Sequence, residues 1–223
     1  MRRRRDSRTY DLTPCTATTA LLWRRAPWRP YNQVVDIQVI EEHPPDWQAY
    51  GTVPIAFDVD RIVDPVSRPG GGYVLRERLV SRPYRKNYDT IPGERPGRWS
   101  KRFNTSRWGV LVARADAVRV GGAVIAVDTP GVHMLGGRDD LALLWDLRVA
   151  PEWRDKGIGK ALFLAAESWA RRRGKVELKV ETQNVNAVAC HFYERMGCEL
   201  RATDPLAYPS LPHEVQFLWY KRW

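Results

Sequence analysis

The sequence predicts a fold of the α/β (α+β) class, and three observations predict it. An apolar run, Leu141–Val149, leads into a glycine-containing turn, Arg154-Asp155-Lys156-Gly157-Ile158-Gly159-Lys160. That turn opens a helical pattern over 159–173. Strand and helix patterns then alternate to the last residue, which suits helices packed on a sheet.

Along the chain, residues 1–19, rich in Arg, Thr and Ala, read as a basic tail and 20–223 as a single domain. Prolines interrupt the short apolar runs between 23 and 69, so no clean helix is expected there. Gly70-Gly71-Gly72 and residues 91–98 are loops by composition. Residues 108–112 and 118–127 read as strands joined by a turn at Ala115-Asp116, and glycines at 131, 136 and 137 break the chain before 141–149. In the helix that follows, Ile158, Leu162, Ala165 and Trp169 recur at helical spacing. Arg171, Arg172 and Arg173 suit its negative end, and Gly174 suits its C′ position. Residues 176–180 alternate as a half-solvated strand with Glu177 and Lys179 outward. A second helix over 184–197, capped by Asn184, is expected to bury Val185, Val188, Phe192 and Met196, and strands near 198–202 and 215–220 close the chain.

The bulk properties exclude several classes. A chain of 223 residues with 43% hydrophobic and 28% charged residues can build one sizeable core. No apolar run approaches the ~20 residues of a membrane span. Four arginines after Met1 resemble the start of a signal peptide, but no apolar core follows them, so a cytoplasmic protein is expected. Cys15, Cys190 and Cys198 form no CxxC pair, and the four histidines are scattered. Neither a disulfide framework nor a metal site is expected. The net charge of +10 raises nucleic acid as a partner, but Arg2, Arg3, Arg4, Arg5 and Arg8 sit in the tail. Between Asp36 and Asp64 the sign reverses, with Glu41, Glu42, Asp46, Asp58 and Asp60 facing only Arg61. A duplex-binding surface has no use for that island, whereas a small cationic amine does. Nucleic acid is therefore an unlikely partner.

The turn at 154–160 carries the chemistry. A strand that turns through glycines onto a helix N-terminus offers bare N–H groups with the positive end of the helix dipole behind them, a cradle for a diphosphate. Arg154, Lys156 and Lys160 add cationic side chains. A Walker loop would need Ser or Thr where Ala161 stands, and a dinucleotide fingerprint would need a small residue at Leu162.

The RxxGxG turn, set in the order strand, loop, helix, strand, helix, strand, strand, resembles the GNAT superfamily of acetyl-CoA-dependent N-acetyltransferases over about residues 108–223. The resemblance implies a mixed central sheet flanked by helices and splayed between its two middle strands, with acetyl-CoA as cosubstrate. It implies that Val149, Arg154, Lys156, Gly157, Ile158, Gly159, Lys160 and Asn186 hold the cofactor and that Tyr193 protonates the departing sulfur. Asp146, Glu181 or ordered water is then the base. A narrower likeness is to streptothricin N-acetyltransferases, in Glu181-Thr182-Gln183-Asn184, in Ala189-Cys190-His191-Phe192-Tyr193-Glu194, in Tyr208, in Phe217-Leu218-Trp219-Tyr220, and in Ser81-Arg82-Pro83-Tyr84-Arg85-Lys86-Asn87-Tyr88. It implies an antibiotic-resistance enzyme that acetylates the β-lysine amine of streptothricin, with Tyr84, Tyr88, Tyr208 and Asp146 lining the acceptor pocket. A polyamine, an aminoglycoside or a protein N-terminus is the alternative acceptor, and monomer and homodimer both stay open. Two departures stand out: Gly197-Cys198 replaces the usual Gly-Phe, and Trp145-Asp146 replaces a common Glu-Asp.

Overall fold

The computed structural model describes residues 36–223. The expected tail over 1–19, with Cys15 and the opening arginines, lies outside the described residues. In chain order the elements are β1 (Ile37–Glu41), a single turn α1 (Trp47–Tyr50), β2 (Phe57–Ser67), β3 (Tyr73–Lys86), α2 (Pro96–Arg102), β4 (Gly109–Ala115), β5 (Val118–Ala126), β6 (Leu141–Val149), α3 (Ile158–Arg172), β7 (Glu177–Gln183), α4 (Ala187–Arg195), β8 (Glu199–Asp204) and β9 (Gln216–Arg222).

One sheet runs in the order β1-β4-β5-β6-β7-β9-β8. Its neighbours are antiparallel except the central pair β6 and β7, which are parallel. Both faces of its middle are covered. Leu111, Ala113, Ile125, Ala142 and Leu144 pack under α3 and α4 with Leu162, Phe163, Trp169 and Tyr193. Val110, Val112, Val124, Leu141 and Leu143 face the other way, onto Tyr50 of α1 and Trp99 of α2. Strands buried on both sides read as continuous apolar runs, which is why these were legible in sequence.

The parallel ladder of β6 and β7 stops at Leu144↔Val180, whereas β6 stays paired with β5 as far as Val149↔Gly121. The sheet therefore opens between its two middle strands, as the resemblance implied. A bulge in β6 decides what lines that opening. Val124 pairs with Asp146 but Ile125 pairs with Leu144, so Trp145 is an extra residue. The bulge reverses the alternation of side chains. Before it, even-numbered Ala142 and Leu144 lie on the α3 face; after it, Leu147 and Val149 do, while Asp146 joins Tyr50 on the α1 face.

Several expectations need correction. Residues 57–67, for which only the lack of a clean helix was expected, form β2, which pairs with β3 as a long separate hairpin. Helix α4 starts at Ala187, because Asn184 stays tied to the sheet: its backbone oxygen accepts from the Val63 amide and its Oδ1 accepts from the Val215 amide. The helix buries Ala187, Cys190 and Tyr193 and leaves Val188 exposed. In α3 the buried alanines are Ala166 and Ala170; Ala165 is half-buried. Glu177 is not solvated but buried between Arg138 and Arg201. Residues 91–98 are partly helical, since α2 begins at Pro96. The acidic island is largely answered within the protein. Asp58 pairs with Arg85, Asp60 with Arg61, Asp64 with Arg78 and Glu42 with Arg119, while Asp46 caps α1. It no longer argues for a cationic ligand.

Candidate active site

The turn after β6 is built to leave backbone donors free. Asp155 (φ 58°) and Gly157 (φ 79°) both adopt left-handed conformations, and Gly157 caps α3 without any side-chain hydrogen bond. Glycine reaches such a φ at no steric cost. Among the described residues the amides from Asp155 through Lys160 find no backbone acceptor. These orphan donors sit at the positive end of a 15-residue helix. Gly159 lies against the Phe192 ring, 3.6 Å from where a Cβ would stand, so α4 closes over the turn.

The cations beside the turn differ in what they do. Lys160 is exposed. The Lys156 Nζ donates to the Glu152 carbonyl (2.8 Å) and lies 4.7 Å from the centre of the Trp153 ring. Arg154 turns inward: its guanidinium donates to the carbonyls of Val149 (3.1 Å) and Ala56 (2.8 Å), which pins the loop before β2 to the end of β6.

The Ala150 amide donates back to Val120 on β5. By strand alternation, the Val149 amide faces the opposite side, where β7 has diverged. Beyond it, Tyr193 of α4 is buried against Phe163 and Phe192. Burial pushes its phenol well above the usual range, with lesser upward pressure from Cys198 and Asp146, so it keeps its proton at any working pH. Its hydroxyl has no hydrogen-bond partner among the described residues, which leaves it free to donate. Asn186 caps α4 through Oδ1, which accepts from the Ala189 amide at 3.1 Å.

On the other side of the opening, Asp146 anchors a buried network. Its Oδ1 accepts from Tyr50 (2.6 Å) and from Arg148 Nε (2.8 Å), and its Oδ2 accepts from Arg148 (2.7 Å). The same guanidinium donates to both carboxylate oxygens of Asp89 and to the Val53 carbonyl. Burial opposes the charge on Arg148, but Asp146, with Tyr50 and Asp89 adding to it, outweighs burial and raises the group above its ordinary value. Gly122 makes this possible, because a Cβ there would meet the Tyr50 ring at 2.4 Å.

The third wall is polar and half-buried. Tyr88 follows β3 and donates to Gln183 Oε1; Gln183 Nε2 donates to Tyr208 Oη (2.8 Å); Tyr208 donates to Glu181 Oε1, which also accepts from Gln216 (3.0 Å). Burial raises the Tyr88 phenol, with the Asn186 side chain opposing it; burial and then Glu181 raise that of Tyr208. Tyr84 is more exposed, on β3, its phenol raised by burial and by Glu214, which is paired with Lys86. His191 Nε2 donates to Glu77 on the hairpin (2.7 Å), away from this wall. Sequence reasoning missed Tyr50, Asp89 and Gln183. Gln183 alone left a signal, its two-residue spacing from Glu181 on one strand, which puts both on one face. Among the described residues no His, Cys, Asp and Glu cluster could hold a metal, and no helix is long and apolar enough to cross a membrane.

The family model of the acetyltransferase (GNAT) family matches residues 76–198, more than half of the chain. The chain belongs to the GNAT family of acetyl-CoA-dependent N-acetyltransferases. This GNAT chain is 38% identical over 81 residues to streptothricin acetyltransferase A of Bacillus subtilis (strain 168), a match covering 35% of the chain and 47% of that protein. It thus spans about half the length of that curated relative. Among solved structures, nourseothricin acetyltransferase superposes with a TM-score of 0.63 at 26% identity, covering 83% of this chain and 98% of that one. A Bacillus anthracis protein solved with acetyl coenzyme A superposes at 0.68 with 22% identity, covering 84% and 100%, a likeness of fold. The residues of the GNAT turn fit such a cofactor, since the unpartnered amides from Asp155 through Lys160 are the donors a diphosphate needs.

Proposed function

We propose that this chain acetylates an amino group of streptothricin, using acetyl-CoA, and so confers resistance to that antibiotic. The observation that carries the reading is the position of Tyr88. It belongs to the segment 81–88 that resembles streptothricin acetyltransferases outside the cofactor motif, and it joins Gln183 and Tyr208 beside the opened sheet. The partial identity to a named streptothricin acetyltransferase supports the same substrate class.

In this reading the amides of the turn, with Lys156 and Lys160 nearby, hold the diphosphate, and Asn186 lies along the bound chain. Acetyl-CoA supplies an acetyl group activated as a thioester. The Val149 amide, aimed into the opening, donates to the carbonyl oxygen on which negative charge grows. Tyr193 holds a proton at Oη for the leaving sulfur. Arg154 acts mainly as the clasp that fixes the Val149 end of β6. Between the two candidate carboxylates, Glu181 is the better proton acceptor. Both Asp146 oxygens are committed to Arg148 and Tyr50, whereas Glu181 Oε2 has no hydrogen-bond partner among the described residues. Asp146 then shapes the pocket by holding Arg148. Tyr84, Tyr88 and Tyr208 contact the acceptor.

The test is thiol release and product mass with acetyl-CoA and a panel of streptothricin, spermidine, an aminoglycoside and an N-terminal peptide. Streptothricin should gain one acetyl group and give the highest kcat/KM. Turnover confined to another amine would replace the substrate and keep the chemistry. Folded protein that does not bind acetyl-CoA in calorimetry would remove both.

A further inference from the structure

We infer that Gln183 is the specificity-determining residue of the acceptor pocket: it fixes the polarity of Tyr88 and Tyr208 so that both phenols present only acceptor capacity. The inference rests on the acetyltransferase reading above and adds to it the rule by which the pocket selects its ligand.

The direction of the four-residue chain is not free. A carboxylate accepts hydrogen bonds and donates none, so Tyr208 must give its proton to Glu181. The Tyr208 oxygen can then meet Gln183 only as an acceptor, which turns the Gln183 amide nitrogen toward it. That leaves Gln183 Oε1 toward Tyr88, and Tyr88 must donate to it. An amide has one donating and one accepting end, so it passes the orientation set by Glu181 across to a tyrosine from a distant part of the sequence. Gln216, donating to the same Glu181 oxygen, holds the anchoring carboxylate in place. With both phenolic protons spent inside the chain, an incoming group is met by lone pairs alone. Such a wall binds N–H donors, as in an ammonium or a guanidinium, and refuses carbonyl and carboxylate oxygens. Chained hydrogen bonds polarise one another, which strengthens that acceptor character. The four side chains are half-buried, so they can meet a ligand without being screened as a surface group would be.

Two substitutions separate this from a packing role. In Gln183→Met the chain is cut while bulk is kept. In Gln183→Glu the introduced carboxyl still accepts from Tyr88, but when ionised it has no proton for Tyr208. In Gln183→Met the KM for streptothricin, relative to wild type, should rise about 10- to 100-fold at pH 8, the loss of one hydrogen bond to a charged group, whereas the ionised carboxylate of Gln183→Glu adds an acceptor to the wall and should lower it. In Gln183→Glu alone the ratio should return toward one as the pH drops to about 5.5, because a buried carboxyl that takes up a proton regains an O–H donor where the amide had N–H. The KM for acetyl-CoA should stay within about twofold of wild type in both, which also reports that they are folded, since a change confined to the acceptor wall leaves the cofactor turn intact. Unchanged acceptor KM in both variants, or a Gln183→Glu ratio as flat with pH as that of Gln183→Met, would overturn the inference. Wild-type turnover with streptothricin, or with spermidine if streptothricin is inert, tests the reading beneath it. A wild type inert toward all four acceptors of the panel would sink that reading and this inference together, whereas an active wild type with unaffected variants would sink the inference alone.

Discussion

In the proposed reading, the two sides of the opened sheet recognise in different ways. On the β6–α3 side the working groups are backbone: the amides of 155–160 and that of Val149, donors left over because a strand ends and a helix begins. On the β7 side and beneath α1 they are side chains already bonded to each other, Tyr88-Gln183-Tyr208-Glu181 and Tyr50-Asp146-Arg148-Asp89. Backbone donors come with the fold and suit a ligand part common to a whole family. Side-chain networks have to be assembled from distant segments, and they can differ between relatives without disturbing the sheet. In that reading, the division of labour between a shared cosubstrate and a private acceptor follows from which atoms each wall is made of.

Tyr193 stands between the two sides and gives the sharpest way to break the comparison. Tyr193→Phe should lower kcat by about 10²- to 10⁴-fold, the usual worth of a positioned general acid, while leaving acetyl-CoA affinity in calorimetry unchanged. Undiminished turnover would hand the proton to another group and merge the two sides into one binding surface. Next in size is the buried network. Arg148→Met strands the Asp146 and Asp89 carboxylates without their cation and should cost about 3–5 kcal/mol, read from the urea midpoint. A loss under 1 kcal/mol would mean that the acceptor side is not held together by that pair.

Smaller effects sharpen the picture on the backbone side. Gly157→Val forces a β-branched residue into a left-handed conformation at a cost of about 1–2 kcal/mol, so acetyl-CoA should bind about tenfold more weakly. The acceptor KM should not move, and if it does the two walls are coupled. The smallest effect concerns the scaffold beneath both. Glu177 is buried, which alone would raise its carboxyl, but Arg138 and Arg201 hold it below the ordinary carboxylate range. Its stabilisation is therefore present above the unfolded value of about 4.3 and is lost as pH falls through the lower folded value. Glu177→Gln should cost about 1 kcal/mol at pH 7 and progressively less below pH 4, with both affinities intact. A midpoint difference that persists at pH 2.5 would show that the charge was not responsible.

Much of the cofactor side was legible because it is local. The apolar run of β6, the turn with its glycines and the amphipathic α3 are contiguous, and each carries its own signal. The acceptor side was legible only in pieces. Tyr88, Tyr208 and Glu181 could be named as candidates, but the sequence shows only that Gln183 shares a strand face with Glu181; that it meets Tyr88 is invisible there, since hydrogen bonding across 95 residues has no periodicity. The hairpin of β2 and β3 escaped because its long strands are mostly exposed and charged, and proline stands within each, at Pro65 and Pro83. The face of α4 was misjudged because two asparagines compete for the cap, and only the pairing of Asn184 with Val63 and Val215 leaves Asn186 to take it.

The amino-acid sequence by itself determined the class of fold, the order of the last five elements and the glycine turn that opens α3, because periodicity, glycine placement and helix polarity act between near neighbours. Tertiary structure alone decided which way Asp146 faces and what it holds. The bulge at Trp145 shifts the strand by one residue, and a one-residue shift moves every later side chain to the opposite face. The carboxylate is thereby delivered to Tyr50 and Arg148 instead of the α3 face, and that outcome depends on pairing with β5, which no local pattern in β6 encodes.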